Sequence, residues 1–261
     1  MDFGLPGLKA VGVDLDGVIY RGNDVVEGAP EAVSTLKRLG LRVLALTNNS
    51  ARTCLEISAK LRALGVEVDA DEIVSSALTT ALALAGSSVS GVAVVGSNSL
   101  RHELEQAGVT IAEDAAASAL VVGYKPDFSY TDVRRALPIL ARGVRFVACN
   151  LERSYPGEGG VMLPGCGPGV MAIAHAASRQ PDMVAGKPSS YFMDVALRRA
   201  EVLATDFMMV GDSWESDIAM AQQAGCGAVY VRDKANAGEM AKAPGVMGFE
   251  SLRDWVASLG A

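Results

Sequence analysis

The stretch VGVDLDGVIYRG, residues 11–22, begins as a short apolar run and then places Asp14 and Asp16 one residue apart where the run ends. A short run of this composition is typical of a buried parallel strand. Two carboxylates so close together raise each other's pKa and repel, unless a cation or a shared proton relieves them. We therefore expect this strand end to meet something positive.

Further short, valine-rich runs follow the same design along the chain. They occupy residues 41–46, 92–95, 119–122, 144–148, 207–210 and 228–231. Helical patterns lie between them, such as PEAVSTLKRLG, in which Pro30 fits the first turn and Gly40 the C-terminal stop. ESDIAMAQQAG, which ends at Gly225, repeats this design. Strands that alternate with helices predict an α/β fold with a parallel sheet and helices on its faces.

The strand–helix alternation continues through the middle of the chain without an obvious break. Polar, small-residue stretches near 85–91 and 178–188 are the best candidate linkers. They predict that the middle of the chain is an insertion in an outer domain built from both ends.

Whole-chain totals narrow the classes of function. The formal net charge is −7 and no basic run is present, so we expect no nucleic-acid partner. The 4 cysteines form no CxxC pair, which favours reduced thiols and offers no zinc ligand set. The N-terminus lacks a secretory pattern, and the uncharged segment 73–100 is too rich in small residues for a membrane span. We expect a cytoplasmic protein without a membrane anchor.

Polar side chains follow several of the predicted strands. They are Asp14, Asp16, Thr47, Asn48, Asn49, Ser50, Lys187, Asp212 and Asp217. In an open parallel sheet, ligands bind at the carboxyl ends of the strands. If the strands are neighbours, four carboxylates, a lysine and a hydroxyl and amide cluster share one rim of the sheet.

Such a rim suits phosphate chemistry. Oxygen-only ligands favour a hard ion such as Mg²⁺, and the chain holds only two histidines, His102 and His175, for any zinc site. One aspartate of the closely spaced pair can attack phosphorus to form an aspartyl-phosphate while the other moves a proton. Lys187 and the TNNS loop would stabilise the oxygens of the transferred phosphoryl group.

Simpler interpretations exist for each of these motifs. Asp-x-Asp-Gly can be only a turn, and Lys187 can be an ordinary surface lysine. TNNS is expected to cap a helix that starts near Ala51, as well as to bind phosphate. GCGPGV, residues 165–170, is interpreted as a tight turn leading into a helix. The histidines and cysteines are interpreted as packed or surface residues.

Four motifs together resemble those of the haloacid dehalogenase superfamily. DLDGVIYRG, LTNNS, GKPS and GDSWESDI occur in the family's order, and the closest subgroup is that of the NagD-like, p-nitrophenylphosphatase-type phosphatases. The middle of the chain resembles their C2-type cap in VVGYKPDFSY, RFVACN and GGVMLPGCGPG. The resemblance implies a Rossmann-like core, residues 1–80 and 183–261, with an α/β cap domain inserted at 81–182.

The resemblance also implies roles for individual residues. Asp14 would be the nucleophile, Asp16 the general acid/base, and Thr47 a phosphate ligand, with Asn48 and Asn49 on the substrate side. Lys187 would hold both the nucleophile and the phosphate. Mg²⁺ would bind Asp14, the backbone carbonyl of Asp16, and Asp212, with Asp217 nearby. This chain differs at SWE, between Asp212 and Asp217, and at ACNLE, where relatives often have ATNPD.

The resulting hypothesis is a Mg²⁺-dependent hydrolase that removes phosphate from a small phosphorylated metabolite. The cap would close over the site, and its NLERSYPGEGG loop, residues 150–160, would contact the leaving group. A phosphotransferase or mutase that uses the same aspartate, and a non-catalytic phosphate-binding module, are the alternatives. Relatives are often dimers through the cap, but the sequence shows no stripe that establishes a homodimer. The sequence does not name the substrate.

Overall fold

The computed structural model of the chain describes residues 7–157, 161–232 and 243–260. Its strands are β1 (Ala10–Asp14), β2 (Tyr20–Arg21), β3 (Asp24–Val25), β4 (Arg42–Thr47), β5 (Ile73–Ser75), β6 (Val92–Val95), β7 (Ala119–Val122), β8 (Arg145–Ala148), β9 (Ser154–Pro156), β10 (Met162–Pro164), β11 (Met183–Val184), β12 (Phe207–Gly211), β13 (Gly227–Val231) and β14 (Val246–Phe249). Its α-helices are α1 (Ala29–Arg38), α2 (Cys54–Ala63), α3 (Ser76–Ala85), α4 (Asn98–Gln106), α5 (Tyr130–Leu140), α6 (Gly167–Ala177), α7 (Ser190–Ala200), α8 (Ala219–Ala224) and α9 (Leu252–Ser258).

Six of these strands form one parallel sheet in the order β14-β13-β12-β1-β4-β5. All five residues of β1 are buried, as the apolar run predicted. Val11 and Val13 face a core that includes α1 and α9, whereas Ala10 faces a second core that includes α7 and α8. Helices therefore cover both faces of the sheet, and the predicted α/β fold is confirmed.

The order of the strands brings the ends of β12, β1 and β4 together. Val13 is in register with Val210 on one side, and Asp14 with Leu46 on the other. Because all three strands run in the same direction, their carboxyl ends meet at one edge of the sheet. The fold thus places the motif residues that follow these strands at a common rim.

A second parallel sheet, in the order β11-β8-β7-β6, forms within the middle of the chain. Its strands pack against α5 and α6 on one face, and against α3 and α4 on the other. Strand β11 of this sheet consists of Met183 and Val184, the first two residues after the predicted cap boundary at 182. The second sheet therefore extends two residues beyond that boundary. The exact bounds of the two domains stay a prediction.

Helix α3 joins the two sheets. It begins directly after β5 of the six-stranded sheet, with the Ser75 hydroxyl accepting a hydrogen bond from the Leu78 N–H at 3.1 Å. Its buried Ala77, Ala81 and Leu84 then pack against strands of the second sheet. The uncharged segment that includes α3 is accordingly a packed connector. No helix among the described residues is long and apolar enough to cross a membrane.

One prediction of helix position was wrong and another is confirmed. The helix expected near Ala51 begins at Cys54, because Thr53 forms a capping box with Glu56 and TNNS is folded as a loop before it. The interpretation of GCGPGV as a tight turn that leads into a helix is confirmed. Helix α6 begins inside this stretch at Gly167, and Pro168 lies in the first turn, where the N–H that proline lacks would have no partner within the helix.

Candidate active site

Lys187 lies at the centre of a buried charge cluster. Its Nζ donates hydrogen bonds to Asp14 Oδ1 and Asp217 Oδ1, both at 2.7 Å, and to the Leu46 carbonyl at 3.2 Å. Its side chain is only 3% exposed, so Lys187 is not an ordinary surface lysine. Burial by itself lowers the pKa of Lys187, but attraction to Asp14 and Asp217 outweighs this effect and raises the pKa above its ordinary value.

The acidic residues of the cluster exceed its positive charge. Carboxylate oxygens of Asp14, Asp212 and Asp217 all lie within 4.8 Å of one another, and the Lys187 ammonium group donates to two of these residues, Asp14 and Asp217. Burial raises the pKa of Asp14 well above its usual range, and Asp217 and Asp212 add to the shift that Lys187 opposes. Burial, followed by the charge of Asp217, raises the pKa of Asp212 to about 6. A bound cation would relieve this repulsion.

The donor set fits a hard cation such as Mg²⁺. It consists of carboxylate oxygens, without the imidazole or thiolate ligands that zinc prefers. The loops also approach the cluster closely. A Cβ on Gly17, whose φ is +92°, would collide with the Asp212 carboxylate, and a Cβ on Gly211 would collide with Asp217. Glycine is required at Gly17 for both its backbone conformation and this contact.

The fourth motif reaches the cluster through a wide turn. Residues Trp214–Ile218 form a π-helical turn rather than the predicted start of an α-helix, and the Ile218 N–H donates to the Ser213 carbonyl at 3.2 Å. The extra residue in the turn carries Asp217 inward, where it is fully buried and its Oδ2 accepts the Ser213 N–H at 3.2 Å. This turn accommodates the SWE interval. A π-turn of this kind is common at functional sites.

The second motif is tied to Lys187 through its backbone. Asn48 Oδ1 accepts the Lys187 N–H at 2.8 Å, and Asn48 Nδ2 donates to the Lys187 carbonyl at 3.3 Å. Thr47 Oγ1 is buried and accepts the Asn49 N–H at 3.1 Å. Asn49 Oδ1 accepts the N–H groups of Ala51 and Arg52. Asn48 therefore connects the second motif to the third.

Asn150, the first residue of the predicted cap loop, has a place in the site for which the sequence predicted no individual role. It is 1% exposed, and its Nδ2 donates to the Asn48 carbonyl at 2.6 Å and to Ser76 Oγ at 3.2 Å. Ser76 Oγ also donates to the Asn48 carbonyl, at 2.7 Å. Because Asn150 follows the end of β8, the rule used for the other polar strand-end residues could have identified it.

Asp16 lies beyond the end of β1, where Tyr20 forms a hydrogen bond with its side chain. Burial raises the pKa of the Asp16 carboxyl, and the charges of nearby cations oppose this shift without cancelling it. Those cations are Lys60, Lys187 and Arg52. Tyr20 was missed in the sequence analysis because an aromatic residue after an apolar run is usually core, and it is indeed 3% exposed.

Two cavities open at this rim. The larger, of about 1520 Å³, is lined by most of the predicted site residues. They are Asp14, Asp16, Thr47, Asn48, Lys187 and Asp212. The smaller cavity, of about 640 Å³, shares Asp16 and Asn48 with it and also contains Asn49. Glu152 and Tyr155 of the predicted cap loop line both cavities, whereas residues 158–160 of that loop lie outside the described residues.

The histidines and cysteines are not part of this arrangement. His102 and His175 are exposed on α4 and α6, and neither lines the two cavities. The four cysteines are buried and free, and Cys166 reaches only the wall of the smaller cavity. The larger cavity is lined instead by carboxylates, by Lys187 and by Thr47 and Asn48 of the loop after β4.

Comparison with known proteins agrees with this geometry. A family model described as haloacid dehalogenase-like hydrolase matches residues 11–110, and a second, HAD-hydrolase-like model matches residues 184–255. The sugar-phosphatase AraL of Bacillus subtilis (strain 168) is 37% identical over 210 residues, which cover 80% of this chain and 77% of AraL. The chain belongs to the haloacid dehalogenase-like hydrolases.

Solved structures of haloacid dehalogenase-like hydrolases show which group this chain resembles. The p-nitrophenyl phosphatase from Archaeoglobus fulgidus superimposes with a TM-score of 0.89 and 32% identity, covering 97% of this chain and 100% of that one. NagD from E. coli K-12 gives a TM-score of 0.84 and 29% identity, covering 95% and 98%. The resemblance to NagD-like phosphatases is thus confirmed, and the chain is a haloacid dehalogenase-type phosphatase.

Proposed function

We propose that this phosphatase is a Mg²⁺-dependent phosphomonoesterase that acts on a small phosphorylated metabolite through an aspartyl-phosphate at Asp14. The buried cluster in which Lys187 bridges Asp14 and Asp217 carries the proposal. It supplies a carboxylate held at a fixed position, and an ammonium group placed to neutralise phosphate charge as that charge moves. Since AraL is a sugar-phosphatase, sugar phosphates are the first substrates to test.

Asp14, Asp212 and the backbone carbonyl of Asp16 would hold the metal ion. Bound Mg²⁺ would supply the positive charge that allows a carboxylate to approach a phosphate dianion. Both side-chain oxygens of Asp217 already accept hydrogen bonds, from Lys187 and from the Ser213 N–H. We therefore assign to Asp217 mainly the task of holding Lys187, with the metal beside it.

The reaction would proceed in two displacements at phosphorus. In the first, a bond forms from Asp14 to phosphorus while the bond to the leaving oxygen breaks, and Asp16 donates a proton to that oxygen. In the second, Asp16 takes a proton from water, whose oxygen bonds to phosphorus as the bond to Asp14 breaks. The raised pKa of Asp16 supports its role as proton donor, because it keeps more of the carboxyl in the protonated form that the first displacement needs.

Thr47 and Lys187 would hold the oxygens of the transferring group. Both residues are buried and line the larger cavity with Asp14 and Asp16. Asn48 fixes the backbone of Lys187 by two hydrogen bonds, and so sets where the ammonium group lies. Asn49 shapes the loop that follows, and we propose that this loop contacts the substrate.

The domain arrangement supports hydrolysis within an enclosed site. We propose a core of residues 1–80 and 183–261 and a cap of residues 81–182, as the sequence predicted. Cap residues Glu152 and Tyr155 line both cavities beside core residues, so the cap would surround the leaving group. Exclusion of bulk water there would strengthen the electrostatic effects on the phosphate.

Phosphate release from a panel of phosphomonoesters tests the proposal, with Mg²⁺ or with excess chelator. We expect metal-dependent release by the wild type, and a loss of at least about a thousandfold in Asp14→Asn, since the nucleophile is removed. Asp71→Asn, on an exposed turn, is the matched control and should behave as the wild type. Chelator-resistant release, or full activity in Asp14→Asn, would contradict the mechanism. Isomerised sugar phosphates without free phosphate would instead indicate a mutase.

A further inference from the structure

The smaller cavity contains charges that the proposed reaction does not use. Asp16 lines this cavity and Asp14 does not. The cavity therefore adjoins the residue proposed to donate the proton, on the side where the leaving group would lie. Arg52 and Lys60 line it from the core, and Tyr124 and Tyr155 line it from the cap. Its volume, about 640 Å³, is sufficient for a small metabolite.

Lys60 is held in place at this cavity. Its Nζ lies 3.4 Å from the centre of the Tyr20 ring and donates to the Gly22 carbonyl at 2.8 Å. Both contacts fix the position of the ammonium group, and neither neutralises its charge. Burial lowers the pKa of Lys60; attraction to Asp16 opposes this shift, and the charge of Arg52 adds to it.

Arg52 places a second cation near the first. Its backbone N–H is fixed by Asn49 Oδ1 at 3.0 Å, while its side chain is exposed towards the cavity that it lines. Within the described part of the chain, the ion pairs involve neither Arg52 nor Lys60. Two neighbouring cations without a paired carboxylate repel each other, and an anion between them would stabilise both.

The acidic residues at this cavity do not supply that anion. Asp16 is required to give a proton to the leaving oxygen and to accept one from water. Glu152 lies on the cap side, where burial has the largest effect on its pKa. The charges that affect this pKa belong to the catalytic cluster, and Lys187 has the largest effect among them. The hydroxyl oxygens of Tyr124 and Tyr155 lie 3.2 Å apart, and these hydroxyls can form hydrogen bonds with a polar leaving group.

We propose that this cavity recognises a second anionic group, a carboxylate or a second phosphate, on the leaving group of the substrate. Arg52 and Lys60 bind that group, Arg52 by its planar pair of donors and Lys60 as a fixed point charge. This inference rests on the proposed phosphatase function and specifies its substrate class. Neutral phosphomonoesters are then poorer substrates than anionic ones of the same size.

Two matched substrate pairs test the proposal through kcat/KM. The first is 3-phosphoglycerate against glycerol 3-phosphate, which differ by a carboxylate in place of a hydroxymethyl group. The second is glucose 1,6-bisphosphate against glucose 6-phosphate. We expect the anionic member of at least one pair to be preferred by about tenfold or more, the size of effect typical of a charge-assisted contact. The pair that shows the preference identifies the source of the anion.

Variants then assign the preference to the two cations. In the double variant Arg52→Gln/Lys60→Met the preference should fall by about tenfold or more, whereas Lys60→Arg should retain most of it. Methionine keeps the aliphatic contact with the Tyr20 ring. Arg62→Gln, on the same helix and ion-paired with Asp69 at 3.4 Å, is the control for a lost surface charge. Circular dichroism confirms that each variant folds.

Three results separate failure of the inference from failure of the proposed function. Turnover without any preference for the anionic members overturns the inference and leaves the phosphatase proposal standing. A preference that persists in the double variant also overturns it, because the charge would then be recognised elsewhere. If the wild type hydrolyses no phosphomonoester at all, the proposed function itself is wrong.

Discussion

Lys187, Asp14 and Asp217 depend on one another, because none of their charges could be buried alone without a large desolvation cost. The side chains of Lys187 and Asp217 are 3% and 0% exposed. Their geometry fixes the position of a carboxylate: the Lys187 ammonium group donates to Asp14 at 2.7 Å, and both side chains line the larger cleft. Glycine at Gly17 and Gly211 allows the surrounding loops to approach this closely.

At the residue scale, we predict that Asp212→Asn weakens Mg²⁺ binding at least about tenfold, because one carboxylate is removed from a site whose affinity depends on ligand charge. The rise in melting temperature on titration with MgCl₂ measures this affinity without any need for turnover. The control Asp71→Asn removes a carboxylate far from the cluster. Equal Mg²⁺-dependent shifts in wild type and Asp212→Asn would show that the metal, if bound, lies elsewhere.

At the scale of elements, the site is assembled by loops that follow parallel strands and by helices that fix those loops. Asn150 after β8, Asn48 after β4 and Ser76 at the start of α3 meet in one buried hydrogen-bond network. The Tyr124 N–H donates to Ser50 Oγ at 2.8 Å beside this network, joining the loop after β7 to the second motif. The two sheets are therefore connected at the TNNS loop, residues 47–50.

We predict that Asn150→Ala lowers the free energy of unfolding by about 1–3 kcal/mol, because it leaves buried groups without hydrogen-bond partners. It should also lower kcat. The Asn48 carbonyl would lose its hydrogen bond from Asn150, and the side chain of Asn48 holds the backbone of Lys187. Urea unfolding and steady-state kinetics measure the two effects.

The control for this substitution is Asn98→Ala, at an exposed helix start, where a change within about 0.5 kcal/mol is expected. A similarly small effect for Asn150→Ala would show that the network does not support the site.

The elements also show how far sequence alone could predict this molecule. The buried strands and the polar residues after them were predictable, because apolar runs and strand-end chemistry are local patterns. The π-turn at Trp214–Ile218 was not, since its wide geometry depends on Asp217 packing beneath Gly211 and pairing with Lys187. The roles of Asn150 and Tyr20 likewise depend on contacts between distant segments.

At the scale of the whole molecule, the two sheets are expected to unfold together. Helix α3 leaves the six-stranded sheet and buries its apolar residues against the second. Both tryptophans, Trp214 and Trp255, pack with cores of the six-stranded sheet, whereas far-ultraviolet circular dichroism reports on both sheets. We predict coincident urea transitions by fluorescence and circular dichroism. Separate transitions would show that the second sheet folds as an independent unit.

The larger cleft and the smaller cavity share Asp16. Under the proposed reaction, this arrangement would separate a phosphate side with Asp14 and Lys187 from a leaving-group side with Arg52 and Lys60. Such a division would allow one core to serve different metabolites, because residues of the proposed cap, such as Tyr155, line the smaller cavity.

The central claim, that Asp14 carries the phosphoryl group, is tested most directly with Asp16→Asn and p-nitrophenyl phosphate. Nitrophenolate is a weak base and leaves without a proton from Asp16, but breakdown of the intermediate needs Asp16 to activate water. We predict a burst of about one nitrophenolate per protein, and one phosphoryl group on the peptide that contains Asp14 after acid quench, as expected for covalent catalysis. Sustained turnover without phosphoprotein, or a phosphoryl group on another residue, would contradict the account.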